Sequence, residues 1–192
     1  MKHFILVLSL LLCSLACGAQ EKTSPLIFKG ISIEGNYHSF AQKLIQKGFK
    51  QLGATEDGIV LSGSFMTYSE TTVIVYPASN SDIVSLVIAM IDAGDKWIDL
   101  EHRYRNVVSV YKEKYGEPFR FVEDFSGADY RWDYLKLCAL EEGTCRFKTE
   151  WHLNGGKIAV YLQYHSGSYY VCCAYEDELY DNAMKKAMID DI

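Results

Sequence analysis

Apolar and polar side chains alternate through three successive runs near the end of the chain, 145–153, 157–164 and 169–175, which is the period-two signature of half-buried strands. If Gly155-Gly156 forms a two-residue hairpin loop, Leu153 faces Ile158, Trp151 faces Val160, Thr149 faces Leu162 and Phe147 faces Tyr164. A four-residue turn at 165–168 sets Tyr164 against Tyr169, Leu162 against Val171, Val160 against Cys173 and Ile158 against Tyr175. Both turns gather the apolar residues on one face, and a slip of one residue would turn every side chain over. The other face then carries Lys148, Glu150, His152, Tyr161, Gln163, Tyr170 and Cys172.

Upstream, 26–33 reads as an entry strand and 39–48 as a short helix, with Phe40, Leu44 and Ile45 on one stripe and Gly48 as its stop. Residues 49–52 lead into strand-like runs at 59–68, 71–77 and 84–92, with polar turns at 68–70 and 78–82. A longer helix is predicted over 96–115, where Trp97, Leu100, Tyr104, Val107, Val108 and Tyr111 recur three and four apart. A strand follows at 119–125, an irregular insertion at 126–144, and a closing helix at 178–188. The predicted class is α+β: a tandem repeat of helix plus four-stranded antiparallel meander, with helices packed on one sheet face and a C-terminal helix. The units are 20–95 and 96–192. Sliding 72–92 forward by 85 positions supports a duplication, because it superposes Val75 on Val160, Tyr76 on Tyr161, Ser81 on Ser166, Ala89 on Ala174 and Asp92 on Asp177 without a gap.

The first 19 residues fit none of these patterns. Lys2 and His3 precede an unbroken apolar run, Phe4 to Leu12, and small residues follow at Ala16, Gly18 and Ala19. That is a secretory signal peptide, so the mature chain is expected to start near Gln20 and to fold in the periplasm or outside the cell. Cys17 stands where a lipoprotein carries its acylated cysteine, but Ser14 occupies the position where such a motif wants a branched aliphatic residue. Ordinary cleavage is the primary expectation, and lipid anchoring through Cys17 is the alternative. No second apolar run is long enough to span a bilayer as a helix.

Apolar residues make up 49% of the chain and charged ones 23%, a globular composition. The formal net charge is -6, one unit more negative once Lys2 leaves with the leader, and there is no basic block. Nucleic acid is therefore not expected as a partner, since phosphate binding needs a concentrated basic footprint. Beyond the leader four cysteines remain. Cys138 and Cys145 flank a short segment and are the expected disulfide in an oxidising compartment. Cys172 and Cys173 are neighbours, point to opposite faces of a strand and cannot pair with each other.

Catalytic readings are thin. No histidine pair has the spacing of a helical metal clamp, and neither a phosphate-cradling loop nor a nucleophile elbow is present. No metal or other cofactor is expected. Asp92, Asp95 and Asp99 lack the alternate-residue spacing of a calcium loop and suit the start of a helix. A Cys172 nucleophile with His152 as base and Glu150 as orienting carboxylate would make a small exported hydrolase, but a flat sheet offers it no oxyanion donors. The chain is accordingly read as a non-enzyme.

Phe28-Lys29-Gly30-Ile31, Lys47-Gly48-Phe49, Lys114-Tyr115-Gly116-Glu117-Pro118, Ala174-Tyr175-Glu176-Asp177 and Ile189-Asp190-Asp191 resemble an uncharacterised family of small exported proteins of gut anaerobic bacteria. These motifs are short and structural, so the likeness implies fold and export and transfers no catalytic residue. The order of elements also resembles the β-lactamase-inhibitor-protein type of fold, whose concave sheet implies protein binding, though no inhibitor motif carries over. The expected function is an exported binding module that holds a protein or cell-envelope ligand on an open, Tyr-rich sheet face through Tyr161, Tyr170, His152, Gln163, Glu150 and Lys148. A lipid-anchored envelope assembly protein is the second reading and the Cys172 hydrolase the third.

Overall fold

A computed structural model describes residues 24–55, 57–125 and 130–178, together with Lys185 and Ile189. The leader with Cys17 and nearly all of the expected closing helix lie outside the described residues.

The expected entry strand is a small hairpin instead, β1 (Ile27–Phe28) and β2 (Ile31–Ser32), reversed at Lys29-Gly30 with φ of 52° and 73°. Two successive positive φ values make the tight turn that suits antiparallel strands, and Gly30 supplies one at no steric cost. Asn36 then caps α1 (Tyr37–Gln46), its side-chain oxygen accepting from the backbone N–H groups of His38 and Ser39 at 3.0 and 3.2 Å. The cap starts this helix two residues earlier than the apolar stripe alone predicts.

A meander follows: β3 (Lys50–Thr55), β4 (Gly58–Phe65), β5 (Tyr68–Pro77) and β6 (Val84–Asp92). The turn between β4 and β5 sits at Met66-Thr67, with Met66 at φ 52°, rather than at the polar residues 68–70, which belong to β5. Next come α2 (Trp97–Tyr115), buried along the predicted stripe, and β7 (Arg120–Phe125). The insertion expected to be irregular contains a third helix, α3 (Asp133–Glu141), which buries Leu137, Ala139 and Leu140. Strands β8 (Cys145–Leu153), β9 (Gly156–His165) and β10 (Ser168–Asp177) complete the described fold.

The expected Cys138–Cys145 disulfide is absent, and all four described cysteines are free. The helix within the insertion is the reason. Cys138 lies on α3 and Cys145 begins β8 with its side chain in the core, so the two do not clip a loop.

Eight strands form one antiparallel sheet in the order β3-β4-β5-β6-β10-β9-β8-β7. The two meanders meet through their last strands, β6 and β10, which leaves β3 and β7 at the edges. One core cluster joins the buried stripes of α1, α2 and α3 to a single face of the sheet, including Leu61, Val73, Val87, Ile91, Val160 and Val171. Polar handles pin α2 to that face. The Tyr104 hydroxyl lies 2.7 Å from the Thr149 hydroxyl, and the Tyr111 and Tyr175 hydroxyls are 2.6 Å apart. Burial pushes Tyr104 up to about 12, so it stays a neutral phenol at any working pH.

Between β9 and β10 all four predicted facing pairs hold, since Ser166 and Gly167, at φ 50° and 82°, form the predicted tight turn. Between β8 and β9 the register differs by two residues: Trp151 faces Ile158 and Thr149 faces Val160, and the loop is Asn154-Gly155. Gly156 belongs to β9, paired with Leu153 and Asp177, and the close approach of the Glu176 carbonyl leaves no room for a Cβ there. An even shift preserves faces, so the separation of core and open residues survives. The gapless superposition at an offset of 85 residues does not survive whole. Val75 pairs with Val87 but Val160 pairs with Cys173, so the superposition carries β5 onto β9 in phase and β6 onto β10 one residue out. Ala89 and Ala174 consequently lie on opposite faces of the sheet.

Candidate functional site

The face opposite the helices is read row by row from the strand registers. In one row Ile74, Ile88, Ala174, Ala159 and Glu150 stand side by side across five strands. The next row along runs Thr72, Met90, Cys172, Tyr161 and Lys148. On the other side of the first row lie Tyr76, Leu86, Glu176, Lys157 and His152. The centre is low, because Ala159 and Ala174 are small, and larger residues stand around it.

The result is a groove of about 380 Å³ floored by Leu86, Ile88, Ala159 and Ala174 and walled by Tyr161 and Lys148. Its rim is charged: both lysines are internally paired and Arg146 is exposed. Lys157 Nζ lies 2.8 Å from a Glu176 carboxylate oxygen and 3.7 Å from one of Glu178, and Lys148 Nζ lies 2.7 Å from Glu150. Partly exposed pairs of this kind add little stability, but they fix where each charge sits. Burial first, and then the neighbouring Cys172 thiol, raises the Tyr161 phenol above its ordinary value. Burial first, and then Asp57, raises Tyr76. Both phenols therefore present neutral O–H groups able to donate or accept.

Of the residues predicted from sequence, the structure brings together Tyr161, Lys148 and Glu150. Tyr170 and Gln163 face each other one row further on, and the Gln163 side-chain oxygen accepts from the Cys172 thiol at 3.4 Å. His152 is exposed at the other end, its ring stacked on Phe119 with centroids 4.1 Å apart. Leu86, Ile88, Tyr76, Lys157, Ala159, Ala174 and Glu176 were not foreseen. The signal was present in the sequence, because 84–92 is apolar at both parities, and a strand without alternation has two apolar faces.

Cys172 and His152 are not assembled for catalysis. Cys172, Tyr161 and Lys148 share a row, and His152 lies four residues along β8 from Lys148, or about 13 Å at the strand rise. The Cys172 thiol is buried and is pushed up to about 12 by desolvation, then by Cys173. Cys173 on the core face is pushed to about 12 by burial. In the folded chain, iodoacetamide at pH 8 is expected to modify the half-exposed Cys138 at least about 100-fold faster than Cys172 or Cys173, measured site by site by mass spectrometry. Rapid labelling of Cys172 would restore the nucleophile reading.

Among the described residues no group of three or more His, Cys, Asp or Glu is placed to hold a metal ion, and no helix is long and apolar enough to cross a membrane. Comparison of the chain with protein-family models, with curated proteins and with solved structures finds no match.

Proposed function

We propose that the protein is an exported, non-catalytic binding module that holds a protein or cell-envelope ligand on the open sheet face. The observation that carries this reading is the groove itself: an aliphatic floor, a wall formed by Tyr161 and two paired lysines at the rim, on a face that no described helix or strand covers. Aromatic anchors around a desolvated apolar centre, with polar groups outside it, are the composition of an energetic hot spot. The internal rim pairs spare a ligand the cost of meeting unpaired buried charge. The two units, 20–95 and 96–192, are read as copies of one helix-plus-four-strand element. Their common order of a helix and then four meander strands supports this, with α3 inserted between β7 and β8 of the second unit and a one-residue adjustment near the register shift at Tyr76/Pro77.

The test is retention of binding partners from a cell-envelope extract by the mature protein. Tyr161→Ala combined with Tyr170→Ala is expected to reduce specific retention at least about tenfold. Tyr134→Ala, at a ring 73% exposed on α3, should leave retention unchanged. Equal retention by all three proteins would place the binding surface elsewhere.

A further inference from the structure

The two edges of the sheet are built differently. On β3 the register breaks between Gln51 and Gly53, and such a bulge bends an edge away from further pairing. On β7 six consecutive residues, Arg120 to Phe125, pair with β8 without a shift, so the outer side of β7 is a straight run of backbone donors and acceptors. No described strand lies beside it. Phe121 on this edge is 54% exposed, although its neighbours on the same face, Glu123 and Phe125, are tied to Arg105 and to the Trp97 cluster.

We propose that β7 pairs antiparallel with β7 of a second copy of this chain, about a twofold axis perpendicular to the sheet through Val122. Such an axis keeps like faces together, so only registers that pair residues of equal parity are allowed. Centred on Val122, the register sets Arg120 opposite Asp124 of the second copy, twice, and both residues are exposed and on the open face. Centred on Glu123 it would set like carboxylates against each other, and centred on Phe121 it would leave Arg120 facing Val122. Opposite charges directly across an antiparallel pair stabilise it and like charges destabilise it, so the sequence selects the first register. The two Phe121 rings then lie diagonally across the axis, within aromatic reach, and shield each other from water. The product is one continuous sheet with both open faces on the same side. The proposal stands apart from the groove reading, because β7 contributes none of the groove's walls.

Concentration-dependent sedimentation of the full chain tests it. Wild type should pass from monomer to dimer as concentration rises. Arg120→Asp alone and Asp124→Arg alone should each raise the dimer dissociation constant at least about tenfold, and the double reversal should return it to within about threefold of wild type. A second measurement does not depend on the charge variants. In a Cys138→Ser background, Val122→Cys meets its own copy on the axis and should form an intermolecular disulfide under mild oxidation, whereas Val110→Cys, exposed on α2, should not. A monomer at every concentration, a dimer indifferent to the single reversals, or equal cross-linking of both cysteine variants would overturn the proposal.

Discussion

Replacing Trp151 by alanine is expected to destabilise the fold by about 3–5 kcal/mol, the usual range for emptying a large buried aromatic site. Trp151 is 2% exposed, and its ring lies 5.6 Å from that of Tyr111 at the C-terminal half of α2. Its indole N–H donates to the Gly116 carbonyl oxygen at 2.9 Å, which ties the residue that ends α2 to the C-terminal end of β8. Alanine therefore leaves a cavity under α2 and also strips a carbonyl of its partner. A domain of this size has about 5–15 kcal/mol in all, and at about 2–4 °C per kcal/mol the melting temperature should fall by roughly 6–20 °C. Trp151→Phe keeps much of the ring packing and loses the hydrogen bond, and should cost about 1–2 kcal/mol. Trp132, 71% exposed, is the control, and its replacement by alanine should stay within about 0.5 kcal/mol. Urea denaturation of the three variants checks the order, and a Trp151→Ala protein as stable as the Trp132 variant would show that α2 does not rest on this residue.

The stripe that Trp151 meets was legible in the sequence because it repeats a strong period over many residues. The six buried residues of α2 are the six that recur three and four apart, and β6 has the predicted bounds. What escaped is what depends on distant chain. α3 carries Leu137 and Leu140 at helical spacing and ends before Gly143 at φ 73°, yet Cys138 and Cys145 drew the segment toward a disulfide-clipped loop. The site was half legible for a related reason. Alternation in β8, β9 and β10 marks Lys148, Glu150 and Tyr161 as residues of the uncovered face. The groove floor, however, comes equally from β6, and only the β6–β10 pairing brings Leu86 and Ile88 beside Glu176 and Ala174. That pairing joins strands separated by α2, α3 and three other strands, and no local pattern encodes it.

Gly156→Ala should cost about 2–6 kcal/mol, from the sum of backbone strain and overpacking. Gly156 has φ of 153°, where a side chain is strained, and its added Cβ would meet the Glu176 carbonyl oxygen at 2.1 Å and the Asp177 Cα at 3.1 Å. Neither obstacle is the tip of a flexible side chain. Gly156 pairs with Leu153 on β8 and with Asp177 on β10, so a Cβ at this point forces apart the ends of three strands that together carry most of the groove. Gly167→Ala offers the contrast. Its φ is 82° and nothing lies within 4 Å of the added carbon, so only the conformational cost of about 1–2 kcal/mol remains. Denaturation midpoints should therefore fall much further for Gly156→Ala than for Gly167→Ala, and partner retention should weaken with the first and persist with the second. Equal midpoints would mean that β9 and β10 close less tightly at Gly156 than the strand pairing requires, and the position of Glu176 at the groove rim would then have to be redrawn.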